Sequence, residues 1–437
     1  MSANIFGVAL SAALLVATGV AQAGPKIEQW QTSNGARVYF VSAPDLPMLD
    51  VQLVFDAGSA RDNGKFGLAS FTNNMLNEGA GGLDANEIAA RFENIGASYG
   101  STVERDMAVV GLRTLTDPPL LNAALENFAT VLAKPEFPQK EFERVRQQTL
   151  IGLAQAKQSP DAVTEKAFYA AIYGQHPYAT EPSGDEETVK ALSVDHVQAF
   201  YKQYYVAKNA VVAMVGALSR ADAERVAEQI TQGLAAGASA SGLPAADNVG
   251  GGREQRVAFP SSQTHVLSGF PTYTRNDPDY FALYVGNHIL GGNGLVSRMS
   301  EQIREKRGLA YSAYSHFVPM RAEGPFIVGF QTRTSQAVEA LQVMRATLND
   351  FVTKGPTEEE LRNAKLNITG GFALRIASNK SIVQYLAVIG FYKLPLDFLD
   401  TYVSKINAVT LAQLKDAFKR RVVPANMVTV VVGSGPV

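Results

Sequence analysis

Residues 191–216, ALSVDHVQAFYKQYYVAKNAVVAMVG, align without a gap on residues 408–433, AVTLAQLKDAFKRRVVPANMVTVVVG. Ala191 meets Ala408, Ser193 meets Thr410, Tyr201 meets Phe418, Lys202 meets Lys419, Asn209 meets Asn426 and Gly216 meets Gly433. Each copy predicts the same local structure. A Ser or Thr caps a helix with apolar residues at helical spacing, and an asparagine turn leads into a short β-branched strand ending in glycine. Two unrelated domains would rarely share such a run, so the chain is read as an internal duplication.

The 437 residues suit two domains of roughly 200 residues each. Between the copies, GLAAGASASGLPAADNVGGG (residues 233–252) is poor in large apolar side chains and predicts an interdomain linker. The expected division is a segment 1–23, a first domain 24–232, the linker 233–252 and a second domain 253–437. In the first domain, Leu49–Ser59 and Met107–Leu115 predict strands, and Asp84 with Glu87 forms a capping pair for a helix over 84–96. Residues 137–174 predict long helical material interrupted near Pro160. Strands with helices segregated to one side indicate an α+β class: two homologous domains, each a mixed, largely antiparallel sheet with helices packed on one side.

Composition narrows the function. Apolar content of 46% and charged content of 18% belong to a globular chain. A net charge of -2 provides no field for nucleic acid or anionic lipid. Residues 1–23, MSANIFGVALSAALLVATGVAQA, hold no charged side chain and end in Ala21-Gln22-Ala23, the layout of a cleaved signal peptide, although no Lys or Arg precedes the apolar run. An anchor left uncleaved is the rival reading, and the run is short for a full span. The expectation is an exported, periplasmic protein with no membrane span after cleavage. The chain has no cysteine, so disulfides, thiolate metal sites and a cysteine nucleophile are excluded, and any zinc would need His and carboxylates.

GLASFTNNMLNEG (residues 67–79) predicts a buried amphipathic helix with Leu68, Ala69, Phe71, Met75 and Leu76 on its apolar face and Ser70, Asn73 and Asn74 on its polar face. In a zincin-type helix those three positions hold metal ligands and a general base. Here they offer one hydroxyl and two amides, which are weak neutral ligands and cannot deprotonate a bound water. The histidines His176, His196, His265, His288 and His316 are scattered, with no pair at ligand spacing. Gly291, Gly292 and Gly294 follow an apolar helix and lack a P-loop Lys-Ser/Thr, so a helix end and turn is expected there.

From about Ile27 to the C-terminus these residues resemble the pitrilysin/insulinase-type zinc peptidases, which include the mitochondrial processing peptidases. The family motif G-L-A-H-F-L-E-H would lay its first His on Ser70, its Glu on Asn73 and its second His on Asn74. The resemblance places the remaining ligand, a Glu, at about Ile151 or Gly152. Ligands and base are thus missing together, which implies no metal on this chain. SRMSEQIREKRGLAYSAYS (residues 297–315) resembles the family's C-terminal motif, and its Arg and Tyr match Arg304 and Tyr311. In the family that pair binds substrate near the scissile bond; taken alone, Arg304 would be a solvated helix charge and Tyr311 a strand aromatic. The resemblance therefore implies a non-catalytic, substrate-binding subunit, inactive alone, of a heterodimeric zinc metallopeptidase. Zinc and base would reside on an H-x-x-E-H partner subunit, with a peptide as substrate. The alternative is a structural or peptide-binding protein of the same fold with no role in hydrolysis. On the subunit reading, this chain's own helix, Leu68 to Leu76, would survive as scaffold because its apolar face packs the domain, its polar face being free to drift.

Overall fold

A computed structural model of the chain describes residues 25–246 and 251–434. The segment read as a signal peptide lies outside the described residues. No helix among the described residues is long and apolar enough to cross a membrane.

The first half builds a six-stranded sheet from β1 (Glu28–Gln31), β2 (Arg37–Ser42), β3 (Met48–Phe55), β4 (Ser98–Val103), β5 (Ala108–Leu115) and β6 (Ala210–Gly216). Its spatial order is β1-β2-β6-β3-β5-β4. The second half builds a five-stranded sheet from β7 (Glu254–Ala258), β8 (Gln263–Tyr273), β9 (Ala310–Phe317), β10 (Gly324–Arg333) and β11 (Val428–Gly433). Its order, β7-β11-β8-β10-β9, repeats the first from β2 onward. The pairing types repeat as well: β2 lies parallel to β6 and β7 parallel to β11, while the other neighbours are antiparallel.

The duplicated stretch supplies the same piece to both sheets. Ser193 caps the helix Val194–Tyr204 by accepting from the backbone N–H of His196, and Thr410 caps Leu411–Arg421 by accepting from that of Gln413. Each helix leads through a 3-10 turn, Ala207–Asn209 or Pro424–Asn426, into β6 or β11. Every residue of these two strands is buried, as their unbroken apolar runs require. Asp84 and Glu87 form the expected capping box, and the helical material breaks at Pro160 into Gln139–Ala156 and Pro160–Tyr173.

The two halves also exchange a helix. One face of the first sheet is covered by that half's own helices, packed on Val38, Phe40, Leu53, Val110, Val212 and Met214. Its other face, with Tyr39, Val54, Val211, Ala213 and Val215, lies under the helix Asn379–Tyr392 of the second half. Reciprocally, Pro160–Tyr173 of the first half covers Ile327, Val428, Val430 and Val432 of the second sheet through Phe168, Tyr169 and Ile172. A glycine admits close approach at each crossing. A Cβ at Gly390 would stand 2.5 Å from Val211, and one at Gly269 would stand 3.0 Å from the Phe168 ring. Burial of Ile382, Val383, Leu386, Ala387, Ile389 and Phe391 under this arrangement contributes roughly 10 kcal/mol.

A buried polar cluster fastens the same junction. The Asp106 carboxylate accepts from the hydroxyls of Tyr178 and, at 2.8 Å, Tyr392, and from the Arg321 backbone N–H at 2.8 Å. Burial first, and then the Asp106 charge, push both phenols well above their usual range, so they remain donors. Arg321 also reaches Asp56 at 3.3 Å, where Arg61 donates at 2.8 Å.

The connecting segment is strapped down where it is described. Ala207 N–H donates to Ala235 O at 2.8 Å, Ala240 N–H to Asn209 Oδ1 at 2.9 Å, and Ala246 N–H to Glu323 Oε2 at 2.8 Å. The stretch read as an interdomain linker thus exchanges backbone hydrogen bonds with fixed partners on both halves.

Candidate functional site

The helix Leu68–Asn74 begins at Gly67, whose φ of +93° and lack of a Cβ fit it against Ser183 O, 2.9 Å from where that Cβ would stand. No side chain at the cap position accepts the first N–H groups. Asp62 does so from the preceding turn, accepting from Gly67 N and Ala69 N at 2.8 Å each. Burial raises the Asp62 carboxyl to about 7 against the pull of those two bonds. The folded chain therefore holds a proton that the unfolded chain releases above its ordinary value of 3.8. The stability this contributes is full below that value and is lost as pH rises through about 7. Asp62→Asn should flatten this dependence. Melting temperatures of the parent and the variant, measured from pH 5 to 8, should show the parent losing ground relative to the variant; a constant difference would contradict the assignment.

Leu68, Ala69, Phe71, Met75 and Leu76 are buried as the periodicity predicts, with Phe71 packed on Phe142 at 4.8 Å between ring centroids. The polar positions divide. Ser70 and Asn74 line a cavity of about 550 Å³, and Gly152 of the helix Gln139–Ala156 lines it too. Three positions at which the family resemblance places zinc ligands thus still share one cavity. Ile151, the neighbouring candidate, is exposed. A Cβ on Gly152 would meet nothing within 4 Å. The Ser70 hydroxyl donates to Pro182 O at 2.6 Å.

Asn73 points elsewhere. It is fully buried: Nδ2 donates to Thr102 O at 3.1 Å and to Val109 O at 3.4 Å, and Oδ1 accepts from the Tyr205 hydroxyl at 3.0 Å. The expectation that this face is free to drift is corrected at this residue. A glutamate here could not donate to the two carbonyls, so the position of the family's base has become a tie between helix, β4–β5 and Tyr205. The sequence carried a signal for this: Asn73 follows buried Ala69 by four residues and precedes buried Leu76 by three, which places it on the apolar stripe.

These residues do not fit a zinc ion. The cavity offers a committed hydroxyl, an exposed amide and a glycine. Among the described residues no group of three or more His, Asp or Glu side chains is gathered as metal ligands.

The second cavity, about 690 Å³, opens in the second half. Arg304 lies on the π-helical segment Ser300–Glu305, which turns through Gly308, φ +61°, into β9. That reversal brings Tyr311 back over Arg304, with the guanidinium carbon 5.0 Å from the ring centroid. Both side chains line the cavity, and Tyr311 is 85% exposed, so it is no core aromatic. Arg304 Nε also lies 3.3 Å from the exposed Glu305 carboxylate. Gly291 and Gly292 close the π-helical segment His288–Gly292, which continues the helix Tyr280–Asn287 and ends it on the cavity wall.

Comparison with known proteins agrees with this geometry. A model of the insulinase family, peptidase family M16, matches residues 37–185, and one of the peptidase M16 inactive domain matches residues 191–368. The crystal structure of a peptidase M16 inactive domain from Pseudomonas fluorescens is 38% identical, with a TM-score of 0.91 over 94% of this chain and 98% of that one. An uncharacterized zinc protease, YmxG, from Bacillus subtilis is 24% identical over 89% of this chain and 94% of its own length. A non-peptidase homolog of Helicobacter pylori is 26% identical over 86% of each chain. The chain belongs to peptidase family M16, as a non-catalytic member whose zinc-ligand positions carry no zinc ligands.

Proposed function

We propose that this chain is the substrate-binding half of a two-subunit M16 peptidase. One observation carries the reading: the zinc-ligand positions of the first half hold no His or carboxylate, yet the second half keeps Arg304 and Tyr311 together at the wall of an open cavity. Arg304 offers a planar fork of donors to a peptide carbonyl, and the Tyr311 hydroxyl can donate to an oxyanion as a peptide bond is attacked. A partner subunit with an intact H-x-x-E-H helix would supply zinc, the attacking water and its base. This chain would hold the peptide in register, outside the cytoplasm if residues 1–23 direct export. The name non-peptidase, given to the Helicobacter pylori relative, fits a member that does not hydrolyse by itself.

The test is hydrolysis of a peptide by the reconstituted pair. Arg304→Ala or Tyr311→Phe should lower turnover by about 10- to 100-fold, while Asn74→Ala leaves it unchanged. Turnover within about twofold of the parent for both variants would leave the pair as surface decoration and favour a structural role.

A further inference from the structure

The charge of the second cavity is one-sided. Its wall includes Arg275 and Arg304 but no aspartate or glutamate, and it carries five phenols, those of Tyr273, Tyr280, Tyr284, Tyr311 and Tyr314. Burial raises the phenols of Tyr273, Tyr280 and Tyr314 and lowers His316, so none of them offsets the cations near neutral pH. Behind the wall, Arg375 donates to the Tyr284 hydroxyl at 2.6 Å and adds a third positive charge.

Arg304 is partly offset by the exposed Glu305 carboxylate, 3.3 Å from its Nε, whereas Arg275 forms no ion pair among the described residues and the other neighbouring carboxylates are engaged elsewhere. Asp277 is held by Arg421 at 2.6 Å, Asp279 by Arg420 and Arg421, and Asp106 by the interdomain phenols. Glu301 pairs with Lys306 at 2.8 Å. Arg275 itself stands with its guanidinium carbon 4.9 Å from the Tyr280 ring centroid. Stacking of this kind fixes a guanidinium plane while leaving its N–H edge open to a bidentate acceptor. The cavity of the first half, in contrast, is lined by no charged residue.

We propose that the second cavity recognises a carboxylate on an extended peptide, with Arg275 as the residue that reads it and Arg304 and Tyr311 holding the adjacent backbone. The inference rests on the substrate-binding reading above and adds to it a chemical preference: acidic or carboxylate-terminated segments are taken and basic ones rejected. A lysine in the same place would meet uncompensated like charge and leave Arg275 desolvated without a partner.

The test uses the mature chain, residues 24–437, and fluorescein-labelled octapeptides identical except for Glu, Gln or Lys at a central position. Each is made with a free and an amidated C-terminus, and binding is followed by anisotropy. The Glu peptide should bind about tenfold tighter than the Gln peptide, the Lys peptide should be weakest, and the preference should shrink with added salt. A preference for Glu that persists in amidated peptides assigns the carboxylate to a side chain; tighter binding of the free acid than of its amide, whatever the central residue, assigns it to the chain terminus. Arg275→Gln should bring Glu and Gln peptides within about twofold of each other without weakening the Gln peptide, and Arg275→Glu should turn the preference toward Lys. Equal binding of all three peptides by the parent chain, with free-acid and amidated forms alike, would overturn this inference and leave the substrate-binding reading standing. Failure of every peptide to bind would contradict both.

Discussion

Asn73→Ala is expected to destabilise the chain by about 3 kcal/mol or more, although the residue aligns with a position where the family has a catalytic base. The amide is fully buried with both ends engaged. Truncation would orphan the Tyr205 hydroxyl, which is itself wholly enclosed, and would remove the donor to carbonyls in β4 and β5. A buried acceptor left unpaired costs about 1–3 kcal/mol, and this substitution leaves more than one. Asn74→Ala, one residue further on and exposed, should stay within about 0.5 kcal/mol. Thermal melts of the two variants side by side provide the check. A shift of several degrees for Asn73→Ala against almost none for Asn74→Ala is the expected pattern; equal small shifts would return Asn73 to the status of a drifting surface position.

Separating the halves should have the larger effect. Residues 24–246 expressed alone would expose Val54, Val211, Ala213 and Val215 where Asn379–Tyr392 packs, and residues 251–437 alone would expose Ile327, Val428 and Val430 where Pro160–Tyr173 packs. An uncovered sheet face of this kind aggregates. Each fragment should therefore be insoluble or molten by itself, and the two should co-purify as a folded complex when expressed together. Near-ultraviolet circular dichroism and soluble yield give the reading. A cooperative melt from either fragment alone would show that the exchanged helix is dispensable. Asp106 gives a smaller version of the same test, because its donors, Tyr178, Tyr392 and the Arg321 backbone, come from both halves.

Local chemistry was legible in the sequence and long-range partnership was not. Ser193 and Thr410 announce their helices, Pro160 announces the break, and the gapless repeat fixes β6 and β11, because capping, ring closure and β-branching act within a few residues. Phe168 and Ile172 mark a buried helix face, but nothing local says that this face meets the other half's sheet. Asp106 gives no signal, since its donors lie 72, 215 and 286 residues away. Arg304 and Tyr311 became visible only through the motif around them. Either alone is an ordinary helix charge or strand aromatic, and it is the turn at Gly308 that joins them.

On the proposed function, this chain works through a catalytic partner. Affinity capture of the tagged chain from an extract of its source cells, with bound proteins identified by mass spectrometry, is the decisive measurement. The expected result is recovery, at near-equal stoichiometry, of a family M16 protein of similar size with an intact H-x-x-E-H helix, and zinc in the purified complex. Recovery of the chain alone, or with unrelated proteins, would contradict it.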